Sequence, residues 1–148
     1  MEKWKEDLKS FFEAQKVDKK QERKKDEVKS DVERFYSSKV KPAFKDLKKE
    51  LEKYGRDVQI AVGDNYGAIE VGCQGRLELN YQVKVRKIYP YPETHYQDRS
   101  GNGIWAEGTF RLGIQKYDIY GLSKEEILQN FMREYKTRLW TLYRKSGP

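Results

Sequence analysis

The sequence predicts an α+β fold: a long N-terminal helical arm, a four-stranded antiparallel sheet and a C-terminal helix, with the helices packed on one sheet face. Three observations carry this reading. From Met1 to Tyr54 there is no glycine and a single proline, Pro42, while apolar residues recur at helical spacing. From Arg76 to Ile88 apolar and polar residues alternate, the period of a half-buried strand. Near the end, Ser123 and Glu126 form a helix-start signature ahead of a second apolar stripe.

The arm divides by helical phase. Trp4, Leu8, Phe11 and Phe12 share one face. Val28, Val32, Phe35, Tyr36, Val40, Ala43, Phe44, Leu47, Leu51 and Tyr54 form a longer stripe. Asp18 to Glu27 holds no apolar residue between them. At ~100° per residue, a continuous helix turns the first face roughly 120° away from Val28, Val32 and Phe35. Either the helix breaks near Val17 to Lys20, or the first face contacts something the second does not. Pro42 lacks a backbone donor and crowds the preceding turn, so the helix is expected to kink near Ser38 to Lys41. Gly55 is placed to cap its end. The chain is accordingly divided into a charged amphipathic arm, 1–27, and a single α+β domain, 28–148.

Asp57 to Val62 alternates as a first strand, and the turn chemistry of Gly63-Asp64-Asn65 leads to a second at Ala68 to Cys73. After Gln74-Gly75, Arg76 to Ile88 is the third. Tyr89 to Gly103, rich in proline, tyrosine and glycine, reads as a loop. Ile104 to Leu112 reads as the fourth strand, with a bulge at Gly113 and an extension over Ile114 to Tyr120. Gln59, Glu70, Glu78, Asn80, Gln82, Lys84, Trp105, Glu107, Thr109 and Arg111 are expected on the solvent face. In the last helix Ile127, Leu128, Phe131, Met132, Tyr135, Leu139 and Leu142 face inward.

Composition narrows the function classes. Hydrophobic residues make up 36% of the chain and charged residues 37%, so the apolar material has to be concentrated to build a core. The net charge of +7 favours an anionic partner, but the charges alternate in sign, as in Lys24-Lys25-Asp26-Glu27. Cys73 is the one cysteine, which excludes an internal disulfide and points to a reducing, cytoplasmic compartment. No apolar run approaches the ~20 residues of a membrane span. Phosphate loops, dinucleotide fingerprints, zinc spacings and EF-hands are absent, so no cofactor, metal or small-molecule ligand is read from the chain.

Three groups of residues remain as candidates. Trp4, Leu8, Phe11 and Phe12, with Trp105 on the sheet, are candidate partner contacts, because large apolar side chains among charges suit a protein surface. Tyr91, Glu93, His95, Asp98 and Arg99 hold the only histidine beside carboxylates, the raw material of a general base and its orienter. Lys84, Arg86, Arg133, Lys136 and Arg138 are candidate phosphate contacts. The leading expectation is a non-enzymatic protein-interaction module that dimerises through the arm. A nucleic-acid-associated protein using the basic last helix and polar sheet face is the first alternative. An enzyme centred on the segment 89–103 is the second.

Overall fold

The computed structural model describes residues 3–98, 100–111 and 117–143, the side chains of 14–24 excepted. Two compact units divide the chain, residues 1–31 and residues 32–148.

Helix α1 spans Lys3–Phe35. It passes through Val17 to Lys20 without a break, because Lys, Glu, Gln and Arg are good helix formers and no glycine or proline interrupts them. A π-helical turn, Tyr36–Val40, follows, and α2 spans Lys41–Glu52 with Pro42 in its first turn. The Lys41 amide donates to the Tyr36 carbonyl, five residues back. Widening the helix ahead of Pro42 relieves the crowding its ring would cause against the preceding turn. The same turn buries Tyr36 and Val40, and the Tyr36 hydroxyl donates to the Val83 carbonyl at 2.8 Å. Gly67 makes this approach feasible: a Cβ there would stand 2.8 Å from Val40 Cγ1. At the end of α2, Gly55 takes a φ of +77°, and the Gly55 and Arg56 amides donate to Glu52 and Leu51. This is the paired geometry of a glycine helix cap.

The sheet has five strands rather than four, in the meander order β1 (Asp57–Val62), β2 (Gly67–Cys73), β3 (Arg76–Arg86), β4 (Tyr89–Gln97), β5 (Gly103–Glu107), every pair antiparallel. The extra strand is β4, formed by most of the segment read as a loop. Its prolines explain the misreading. The Pro92 carbonyl accepts from Gly108, so the Pro92 nitrogen faces the β5 side, where pairing has already ended at Glu93 opposite Glu107. By the same alternation the Pro90 nitrogen faces that side too. Neither proline takes a donor from the β3–β4 ladder, which is the condition under which a strand tolerates proline. The expected strand Ile104 to Leu112 is the shorter Gly103–Glu107, and Tyr117 to Tyr120 is irregular and turn rather than strand. Residues 112–116, which include the end of that expected strand, the bulge expected at Gly113 and the start of its extension, lie outside the described residues.

Helices cover one face of the sheet. Val58, Ile69, Val71, Leu79, Tyr81 and Val83 are buried there with Phe44, Leu47 and Leu51 of α2 and Ile127, Phe131 and Tyr135 of α3 (Lys124–Tyr143). Phe44, Tyr81 and Phe131 meet edge to face, with centroids 5.3–6.1 Å apart. Ser123 caps α3 by accepting from the Glu126 amide at 3.1 Å. The Glu126 carboxylate does not close the box; it forms a two-pronged ion pair with Arg111. Glu78 also departs from expectation. The β2–β3 register runs from Val71 opposite Leu79 to Gly72 opposite Leu77, so Glu78 is skipped and turns to the helix side. There it is buried, taking Arg56 at 3.1 and 3.2 Å and the Tyr135 hydroxyl at 2.7 Å. Burial alone would push its carboxyl up, but the bonds from Arg56 and Tyr135 outweigh it and hold the group below the usual carboxylate range. Among the described residues, no helix is long and apolar enough to cross a membrane.

Candidate functional site

Cross-strand register assembles a site on the other face of the sheet. Directly paired residues of an antiparallel ladder point the same way. Asn80, His95 and Trp105 therefore make one row across β3, β4 and β5, and Gln82, Glu93 and Glu107 make the next. Lys84 opposite Tyr91 and Arg86 opposite Tyr89 continue it toward the β3–β4 turn.

Glu93 is the centre of this face. It is 5% exposed although it stands on the uncovered side of the sheet, because neighbouring side chains close over it. Its Oε2 receives both Lys84 Nζ at 2.5 Å and His95 Nε2 at 3.1 Å. Desolvation pushes the Glu93 carboxyl up, and the hydrogen bonds from Lys84 and His95 outweigh it, holding the group below the ordinary range. The same contact raises the Lys84 ammonium, which stays charged at neutral pH. The partners remain accessible: the Lys84 and His95 side chains are 39% and 40% exposed. Beside them, Arg86 lies 4.7 Å over the Tyr91 ring and reaches both the Tyr91 hydroxyl and Glu107 at 3.3 Å. A cavity of about 670 Å³ continues from this end of the face, lined by Arg86, Tyr89, Tyr91, Glu107 and Tyr117 among others.

The structure thus joins residues that the sequence placed in separate groups. Tyr91, Glu93 and His95, Lys84 and Arg86, and Trp105 all share one face. Asp98 does not join them. Its Oδ1 accepts from the Ser100 and Asn102 amides at 2.9 and 2.8 Å, which makes it the organiser of the β4–β5 turn. Arg99 lies outside the described residues. Arg133 and Lys136 are exposed on α3, while Arg138 stacks on Tyr96 at 4.0 Å. Tyr96 belongs to the opposite parity of β4, so Arg138 does not contribute to this face. Sequence reasoning placed Glu107 on the polar face of the sheet and missed Tyr89 as a member of the site. Taking β4 for a loop hid the alternation that sets Tyr89, Tyr91, Glu93 and His95 on one side.

The arm candidates have their own geometry in the first unit. Trp4, Leu8, Phe11 and Phe12 are between 48% and 57% exposed. Phe11 and Phe12 meet edge to face at 5.6 Å, and Lys5 Nζ lies 5.4 Å from the Trp4 ring. The rim carries both signs, with Lys5 and Lys9 beside Glu6, Asp7 and Glu13. Among the described residues no cluster of three or more His, Cys, Asp or Glu side chains is arranged to hold a metal ion. No protein-family model, curated protein or solved structure matches the chain.

Proposed function

We propose that this chain is a protein-interaction module that self-associates through its N-terminal helical arm. One observation carries the reading: four large apolar side chains share one face of α1 and each is about half exposed. The core of the second unit is built from Val32 onward, so the folded body has its own apolar complement. Burying a side chain of this size is worth about 1.5–3 kcal/mol, which gives the patch a drive toward a partner.

A second copy of the chain is the partner its rim favours. A two-fold interface sets the same patch against itself, so its charges have to be self-complementary. Lys5 and Lys9 with Glu6, Asp7 and Glu13 meet that condition. A polyanion or an anionic lipid surface would meet as many acidic as basic groups here, Glu6, Asp7 and Glu13 against Lys3, Lys5 and Lys9.

Light scattering on the full chain tests the proposal. Wild type is expected at the mass of a dimer, and the double variant Phe11→Glu, Phe12→Glu at the mass of a monomer with an unchanged melting temperature. A monomeric wild type, or a double variant that still dimerises, rejects it.

A further inference from the structure

We infer that the outer edge of β5 is a docking site for an extended peptide of another protein, which adds to the sheet antiparallel to β5 and sets basic side chains on the uncovered face. The surface belongs to the second unit and does not depend on the arm.

Main-chain alternation decides what this edge offers. The Gly108 amide donates to Pro92, and the Asn102 carbonyl accepts from Asp98. Ile104 and Ala106, of the same parity, therefore turn their main-chain groups toward β4, opposite Tyr96 and Thr94. Gly103, Trp105 and Glu107 turn theirs outward. β5 ends the sheet, and among the described residues no main chain pairs with these outward amides and carbonyls. An extended chain is the partner that matches their spacing with donors and acceptors in alternation.

The two edges of the sheet differ. On β1 the Gly63 amide donates to Tyr66, so Val58, Ile60 and Val62 are the residues whose main chain faces outward. Val58 is buried, and Ile60 and Val62 pack against the core. β5 is exposed along its whole length. It carries no lysine, arginine, proline or bulge, devices that blunt an edge against pairing. Ile104 and Trp105, 36% and 61% exposed, flank it on opposite faces, so an added strand buries apolar surface on both.

Register sets the side chains of the partner. Residues directly opposite Trp105 and Glu107 share their face. A lysine or arginine opposite Trp105 meets the indole ring and, on the diagonal, the Glu107 carboxylate. Arg86 reaches Glu107 from the β3 side in an exposed pair at 3.3 Å, which leaves the outer side of that carboxylate for a second cation. Glu70, Glu93 and Glu107 against Lys84 and Arg86 favour the same sign. The neighbours of the basic residue fall beside Ile104 and Ala106 and are apolar. Charge also argues against a second copy here, because β5 brings no cation of its own.

The test uses the full chain and a fluorescent synthetic peptide of alternating valine and lysine. Saturable binding by anisotropy is expected, with a Kd below about 1 mM. Amide exchange at Gly103, Trp105 and Glu107 is expected to slow by about tenfold near saturation, while Ile104 and Ala106, already bonded to β4, keep their rates. Methylating the lysine amides, which face β5, is expected to abolish binding; methylating the valine amides, which face away, is expected to preserve it. Trp105→Ala is expected to melt as wild type does and to bind about threefold more weakly. Trp105→Pro, tolerated where the amide faces solvent, is expected to weaken binding by roughly tenfold or more. The inference is overturned by the absence of saturable binding, or by binding that survives methylation of the lysine amides. It is equally overturned if the outward amides of the chain alone gain protection as its concentration rises, which seats a second copy on the edge.

Discussion

Helices α1 and α2 carry the same kind of pattern and meet different fates. In α2, Ala43, Phe44, Leu47 and Leu51 are buried in the core. In the first turns of α1, Trp4, Leu8, Phe11 and Phe12 stay about half exposed. Helical spacing of apolar residues shows that a helix has an apolar face; it does not show whose surface covers that face. The distinction lies in the flanks. The α2 stripe runs on through Val40 and Tyr36 to Phe35 across the π-helical turn with no long polar gap, whereas the ten residues Asp18 to Glu27, all polar, isolate the first patch.

The comparison is sharpest under mutation. Phe44 is fully buried with its ring 6.1 Å from Tyr81, so Phe44→Ala is expected to cost about 3–5 kcal/mol in chemical denaturation. Phe11→Ala, measured in dilute protein, is expected to change stability by less than about 0.5 kcal/mol. Equal costs for the two would erase the difference between the helices.

Glu78→Ala comes next. It strips a buried pair of its acceptor and leaves Arg56 and Tyr135 without their partner, a loss of roughly 3 kcal/mol in the same assay. Gly67→Ala follows at about 1–3 kcal/mol, because its new Cβ meets Val40 and Tyr36 with little room to give. A Gly67→Ala variant as stable as wild type would mean that the π-helical turn is free to lift from the sheet.

Acid gives a smaller and separable effect. The folded Glu78 carboxyl titrates below its unfolded value, so it contributes fully to stability above the unfolded carboxylate range of about 4.3. That contribution is lost as pH falls through the folded value, where the native state also takes up the proton. Glu93 has the same sign, but its partners Lys84 and His95 are about 40% exposed and solvent screens them. The slope of unfolding free energy against pH in the acid range is expected to flatten more in Glu78→Gln than in Glu93→Gln. A larger change in Glu93→Gln would reverse that ranking.

Much of this architecture is written in local pattern. The cap at Gly55, the core face of β3 from Leu79 to Val83 and the start of α3 at Ser123 follow from a residue's own neighbours in sequence. What stayed hidden depends on pairing across space. Pro90 and Pro92 look like loop residues until β5 is seen to end before it reaches them. Glu78 looks like a solvent-face residue until the register skip turns it inward. The site shares this cause: Lys84, Glu93 and Trp105 are distant in sequence, and only the β3–β4–β5 register makes them neighbours. Trp4, Phe11 and Phe12 were legible as a face, and their exposure is what the sequence could not supply.

The central claim is that the arm joins two copies of the chain, and an intermolecular distance tests it most directly. Ser10 is exposed within the apolar turns of α1, so a spin label at Ser10→Cys on a Cys73→Ser background reports on that face alone. Pulsed dipolar spectroscopy is expected to give a defined distance between labels, whose amplitude falls on mixing with unlabelled wild type. Only the featureless decay of separate molecules would contradict the account.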